Sequence, residues 1–271
     1  MTRTCTAATA AFLLACTALC AQPTRFKPGF NLFSKKQDVQ LGREAAAEIA
    51  KQKHIVQDNA LQAYLNRVGR RLAASPQTDS ADFDYTFRLV QDPEVNAFAL
   101  PGGFTFVNTG LVLAVQNEAQ LAAVMAHEMA HVALRHGTNQ ASKRLGFRLA
   151  LGIVGLSGGS LLQQIGGLGA SGVLLKFSRT DERQADLLGL HIMADAGYDP
   201  IEMARFFETL KAEGGSHMPE WLSSHPDTAN RIADIENEIR RMPRRNYTNG
   251  AGDFSAMQRR VRALTGKQKA R

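Results

Sequence analysis

Apolar positions recur along this chain in two periods. Leu61, Tyr64, Leu65, Val68 and Leu72 fall at i, i+3, i+4, i+7 and i+11 after Asp58. That spacing predicts an amphipathic helix, and Asp58 is a suitable N-cap. A helix is also predicted from about 36 to 53. Phe83, Tyr85, Phe87 and Leu89 alternate with Asp84, Thr86 and Arg88, the pattern of a half-buried strand. Phe104 to Val107 reads as a second strand after Pro101-Gly102-Gly103, closed by Asn108-Thr109-Gly110. Asn117, with Gln120 three residues on, opens another helix in a capping-box pattern, and Gly137 suits its end. Late helices are expected over 204–211 and 228–240. The fold class is therefore mainly α with a small antiparallel β-sheet (α+β), the sheet lying beside the Asn117 helix.

That helix carries the candidate chemistry. His127-Glu128-Met129-Ala130-His131 has the H-E-x-x-H spacing. Four residues apart on a helix, both imidazoles leave the same face and can grip one zinc ion. Glu128 lies beside them and can serve as general base toward water. Zinc catalysis needs a third protein ligand. Glu182 and Asp186 repeat the four-residue spacing. Glu182 can ligate, and Asp186 can accept the N–H of a ligand imidazole and fix its tautomer. His136 and His191 each lie nine residues from a candidate ligand, on the opposite face of a continued helix, and are set aside. His54 and His217 read as surface residues. Two distant histidines and a solvated acidic face would give the same residues separately; together they point to one metal site.

Four stretches then become recognisable: Gln40-Leu41-Gly42-Arg43-Glu44, Val95 to Gly103, the metal helix with its run-in Asn108-Thr109-Gly110-Leu111, and Glu182 to Asp186. Ser224-His225-Pro226 with Arg231 is a fifth. In these the chain resembles the HtpX-like, BepA-like zinc metallopeptidases of the gluzincin group, over about residues 36 to 240. The resemblance implies one Zn2+ per chain on His127, His131 and Glu182, with Glu128 as base. It implies that His225 caps the zinc at rest and that Arg231 faces the active site, where it could stabilise the oxyanion or pair with a nearby Asp. It favours Phe104, Thr105, Phe106 and Val107 as an edge strand that holds an extended substrate, over a simple core hairpin. The implied activity is metalloendopeptidase cleavage of unfolded or misassembled envelope proteins. A zinc-stabilised, chaperone-like binding module is the alternative, for which Glu128 would have no use.

Composition adds compartment and organisation. At 271 residues and 44% hydrophobic, the chain can bury a proper core. Residues 1–21 read as a secretory signal peptide: Arg3, then an apolar stretch, then small residues. Leu13-Leu14-Ala15-Cys16 offers lipoprotein processing before Cys16 instead. Cys5, Cys16 and Cys20 all fall in this segment, so the rest has no thiol chemistry. Export to a bacterial periplasm is the expectation. Residues 22–35 read as a linker and 36–242 as the peptidase domain. The net charge of +7 is concentrated: residues 240–271 hold ten Lys/Arg and one acidic residue, which leaves the remainder at −2. This basic tail, 243–271, is expected to be flexible, with a short amphipathic helix through Phe254, Met257, Val261 and Leu264. It could dock on the domain or meet membrane or lipopolysaccharide. Nucleic acid is not an expected partner. Residues 149–175 carry no charge but eight glycines, which suits buried or partly exposed helices near the metal better than a membrane span.

Overall fold

The computed structural model describes residues 26–150, 177–213, 220–225, 230–250 and 252–269. The expected signal segment, Cys16, His217 and nearly all of the uncharged run 149–175 lie outside them. Among the described residues, helices α1 (Lys35–Gln52), α2 (Asn59–Ala73), α3 (Thr109–Ala114), α4 (Glu118–Ala133) and α5 (His136–Ala150) accompany strands β1 (Thr86–Val90), β2 (Ala97–Leu100) and β3 (Phe104–Asn108). Five helices follow: α6 (Arg179–Asp195), α7 (Ile201–Glu213), α8 (Glu220–Ser224), α9 (Arg231–Arg241) and α10 (Phe254–Lys269).

Helix α4 is the axis of the molecule, and every one of its residues is buried. Its sequence explains this. Six alanines leave no polar face, so neighbours pack on all sides. Asn117 caps it, its side chain accepting the Gln120 N–H at 2.9 Å. The Gln120 side chain reaches back to the Gln116 N–H rather than to the cap residue itself. Buried Glu118 accepts hydrogen bonds from Tyr64, Tyr198 and Arg67, and its charge sits favourably at the helix N-terminus.

Helix α6 lies against α4, and Gly189 sets their approach. A Cβ at Gly189 would meet Met203 Cε at 3.0 Å and the His127 backbone N at 3.3 Å. The main core joins α2, α4, α6 and α7 to one face of the sheet through Ala97 and Val107. The other face packs Phe98, Phe104 and Phe106 against Ala45, Ala46 and Ile49 of α1.

The sheet corrects two expectations. Its order is β1–β3–β2, with β2 antiparallel to β3 but β1 parallel to it. The turn Pro101-Gly102-Gly103, with φ of 79° and 102° at the glycines, joins β2 to β3 as a hairpin. That fills one side of β3, so β1 must pair on the other, running the same way. The sheet is therefore mixed. Phe104, Thr105, Phe106 and Val107 are also not an edge strand: β3 is bonded on both sides and cannot accept a further one. Among the described residues, the sheet edge beside α4 that no further strand pairs is that of β2. Asn108 N–H donates to Asn96 C=O, so the backbone groups of Val95, Ala97 and Ala99 point away from β3.

Within the basic tail, expected to be flexible apart from a short helix that could dock, the helix is longer and docked. Residues 254–269 form α10, and Phe254, Met257 and Val261 are buried in the main core. Gln258 Nε2 donates to the Val112 and Val115 carbonyls at 3.0 and 2.9 Å. The apolar stripe is covered by the chain's own α2 and α3, which leaves only the polar side to any lipid.

Candidate metal centre

Two helices bring the ligating groups together. α4 presents His127 and His131, one turn apart. α6 begins at Ser178, whose side chain exchanges hydrogen bonds with Asp181 in a capping box, and presents Glu182 and Asp186 one turn apart. His225, at the end of α8, completes a buried group in which one ligand atom from each of His127, His131, Glu182 and His225 lies within 4.8 Å of the others.

The spacing suits a small cation. His127 Nε2 lies 3.0 Å from His131 Nε2, 3.2 Å from His225 Nδ1 and 3.4 Å from Glu182 Oε2. Glu182 Oε1 is 3.5 Å from His131 Nε2 and 3.0 Å from His225 Nδ1. A tetrahedral shell with bonds of about 2.0–2.1 Å has edges of about 3.3–3.4 Å. The proton inventory agrees. His127 Nδ1 is 2.9 Å from Asp186 Oδ1, which can only accept, so a proton sits there and the neutral ring turns its Nε2 lone pair inward. Groups converging at this distance in a buried site share protons or hold a cation between them, and the edges match those of a small cation's shell. The residues present therefore fit a four-coordinate divalent metal.

The charges around the group are held by buried partners. Burial opposes ionisation of Glu182, but the imidazoles of His225, His127 and His131 outweigh it and hold the carboxyl well below its ordinary range. Asp186 is likewise opposed by burial and lowered by Arg231 and His127. His127 is disfavoured as a cation by burial, yet its hydrogen bonds to Asp186 and Glu182 lift it to about 9. Burial pushes His131 well below the ordinary histidine value. These directions describe the metal-free protein.

Glu128 points from α4 toward β2. Its Oε2 accepts the Ala99 backbone N–H at 3.1 Å, and its Oε1 lies 3.4 Å from Trp221 Nε1 and 3.3 Å from His225 Nε2. Trp221 stacks on the His225 ring, centroids 4.8 Å apart, and donates its backbone N–H to Val95 O at the free edge of β2. In this arrangement α8 and His225 occupy both the fourth ligand position and one side of Glu128.

Of the two roles expected for Arg231, contact with the oxyanion or pairing with an Asp, the structure has the pairing. Its side chain is 1% exposed and forks onto Asp186, Nε to Oδ2 and Nη2 to Oδ1, both at 2.7 Å. Nη1 donates to the His225 carbonyl at 3.2 Å, and Phe207 covers the guanidinium at 4.3 Å. It braces the candidate ligands from behind, forked onto Asp186, with Nη2 also 3.4 Å from Glu182 Oε2. The Asp pairing is the role its geometry allows.

Two contributors escaped the sequence. Trp221 carries no motif. His136 was set aside by continuing the α4 helix past its true end. The helix stops at Leu134, and Arg135 is left-handed (φ 56°), held there by Asp38 and the Phe33 carbonyl. The chain turns back, and His136 Nδ1 comes within 2.9 Å of His131 Nδ1. His191 bonds Glu238 outside the group, and His54 is exposed.

A buried group able to hold a metal on two packed helices, a carboxylate beside it and a neighbouring strand edge match a metallopeptidase domain. The model of peptidase family M48 matches residues 59–239, and the chain belongs to that family. It is 32% identical over 220 residues to the beta-barrel assembly-enhancing protease of Escherichia coli K12, covering 76% of this chain and 44% of that protein. It is 34% identical over 179 residues to the mitochondrial metalloendopeptidase OMA1 of Schizosaccharomyces pombe, covering 64% and 51%. The OMA1 of Arabidopsis thaliana is 32% identical over 177 residues, covering 65% and 36%. The chain spans about half or less of the length of these relatives.

Proposed function

We propose that the chain is a zinc-dependent endopeptidase that cleaves unfolded or misassembled proteins of the bacterial envelope. The observation that carries the reading is the contact between Glu128 and Ala99: the base touches the free edge of β2. An extended substrate paired along Ala97 and Ala99 would pass directly beside Glu128. A purely structural metal needs neither group. His127, His131 and Glu182 would hold the zinc, which supplies a Lewis acid for the scissile carbonyl and the attacking water. Glu128 takes the proton of that water and returns it to the leaving amine. Asp186, locked by Arg231, keeps the His127 proton on Nδ1. His225 and Trp221 must swing aside for Glu128 and the β2 edge to become available.

Envelope clients follow from the Escherichia coli relative, named for β-barrel assembly, and from the signal-like residues 1–21. No helix among the described residues is long and apolar enough to cross a membrane. A periplasmic location, free or lipid-anchored through Cys16, is the proposal. Any contact with membrane or lipopolysaccharide would use exposed cations such as Arg259, Arg260 and Arg262.

The His225 closure favours a second reading, a structural zinc in a client-binding module, since closed four-coordinate sites are structural. Glu128→Gln separates the two. Under the proposal it keeps one zinc per chain and loses about 10²–10⁴-fold in cleavage of an unfolded protein. Unchanged cleavage would refute the mechanism, and no cleavage by the wild type with His225 removed would favour the binding module.

A further inference from the structure

On the metal-site reading, His127 Nδ1 leans on Asp186 and His225 Nε2 faces Glu128, and the geometry supplies a partner for the outward nitrogen of His131 as well. We propose that His136 is a positioning residue: its Nδ1 accepts the Nδ1–H of His131 and so locks the ligand tautomer.

The argument is a count of protons. His131 Nε2 faces the other ligand atoms, 3.0 Å from His127 Nε2 and 3.5 Å from Glu182 Oε1. To bind metal it must present a lone pair, so its proton belongs on Nδ1. The atom facing Nδ1 is His136 Nδ1 at 2.9 Å, which must therefore accept. An imidazole that accepts at Nδ1 carries its own proton on Nε2. That atom lies 3.1 Å from Gln184 Oε1, an acceptor, and 3.8 Å from Asp181 Oδ1. With the Gln184 oxygen facing His136, the chain His131–His136–Gln184 runs outward from His131, and the Asp181 carboxylate nearby favours that direction. Reversing it would put a proton on His131 Nε2, where the metal binds. Both histidines are buried, so water cannot substitute for the acceptor.

The choice of a neutral acceptor has a reason. His127 leans on Asp186, whose charge Arg231 balances. A carboxylate behind His131 would bring a second buried anion without a cation to match it. An imidazole orients the ring without adding charge. The backbone serves the same end, because the left-handed Arg135 is what turns His136 back onto His131.

The test uses the full chain and zinc itself, measured by chelator competition. His136→Leu should weaken zinc binding by about 10–100-fold, the usual loss for an outer-shell partner. His136→Gln, which returns an oxygen acceptor, should recover most of that loss. Gln184→Leu, which frees the far end of the chain, should cost less than His136→Leu. A readout independent of affinity is the nitrogen-15 NMR of the zinc-loaded wild type: His131 should show a slowly exchanging N–H on Nδ1, lost in His136→Leu. Unchanged zinc affinity in folded His136→Leu would overturn the proposal, as would His136→Gln binding as weakly as His136→Leu. If His136→Leu does not fold, a proton absent from His131 Nδ1 in the wild type overturns it, and a proton present there supports it. His131→Ala is the control: if it keeps tight zinc, the metal-site reading itself has failed.

Discussion

Arg231→Met tests whether this arginine supports the metal site from behind or takes part in bond cleavage. The wild-type guanidinium neutralises Asp186 through two hydrogen bonds of 2.7 Å, with both side chains nearly inaccessible. Methionine fills similar space against Phe207 and Trp221 but leaves the buried carboxylate with the His127 Nδ1–H and no guanidinium. Breaking a buried pair from one side costs about 3–5 kcal/mol. In a domain of this size, each kcal/mol moves the melting temperature by about 2–4 °C. The variant should therefore melt roughly 6–20 °C lower, less any relief from protonation of Asp186. Because Asp186 orients His127, zinc affinity should also fall, by about 10–100-fold. Adding Asp186→Asn removes the orphaned charge and should restore part of the melting temperature, a non-additivity expected only of partners in contact. Thermal melts of the metal-free proteins and chelator competition measure both effects. An arginine that stabilised an oxyanion would behave otherwise: turnover would drop about 10²–10³-fold while stability and zinc affinity held. That pattern would refute the supporting role.

His127 predicts a pH dependence. Its value is raised to about 9 by Asp186 and Glu182 against the cost of burial, so its protonated form stabilises the metal-free fold. That contribution is complete below the unfolded histidine value and lost as pH rises through about 9. Zinc needs the neutral ring, so its apparent affinity should climb about tenfold per pH unit from ~6.5 to 9, and flat affinity from pH 7 to 9 would contradict the assignment. Ending the chain before Phe254 removes three buried apolar side chains at about 1.5–3 kcal/mol each, so the truncated domain should melt well below the wild type; an unchanged melt would show that α10 is dispensable. His225→Ala should keep zinc on three protein ligands and raise basal cleavage of a peptide, whereas a fall in cleavage would make His225 a substrate-side residue.

Much of the site was legible because it depends on local spacing. His127 with His131, and Glu182 with Asp186, need only one helical turn to converge. Asp58 and Asn117 act as caps from sequence signals alone. What was missed depends on distant contacts. β2 reads Ala-Phe-Ala-Leu, too short and too uniformly apolar to alternate. With β2 unseen, β3 took its place as the edge, and the parallel pairing of β1 could not be foreseen. The end of α4 is set by Arg135 reaching Asp38, 97 residues away, so a helical wheel misplaced His136. The stripe Phe254, Met257, Val261 was visible, but the same stripe suits a lipid surface or the chain's own core. Only the packing of α2 and α3 chooses between them. Arg231 shows the same ambiguity, since a cation near a site can face the reaction or brace the ligands.

Gly189 touches no ligand, yet it fixes the gauge of the coordination sphere. Two donors ride on α4 and one on α6, so the distance between those backbones decides how wide the chelate opens. A single methyl group at Gly189 would displace the end of Met203 and press on the His127 backbone, easing the helices apart by a few tenths of an ångström. The two imidazoles would move as one unit and the carboxylate as another. Such a widened bite no longer matches bonds near 2.0–2.1 Å and shifts preference toward larger, oxygen-seeking ions. On the proposed zinc reading, Gly189 would thus help set the fit for a small cation, at a position with no donor atom in its side chain.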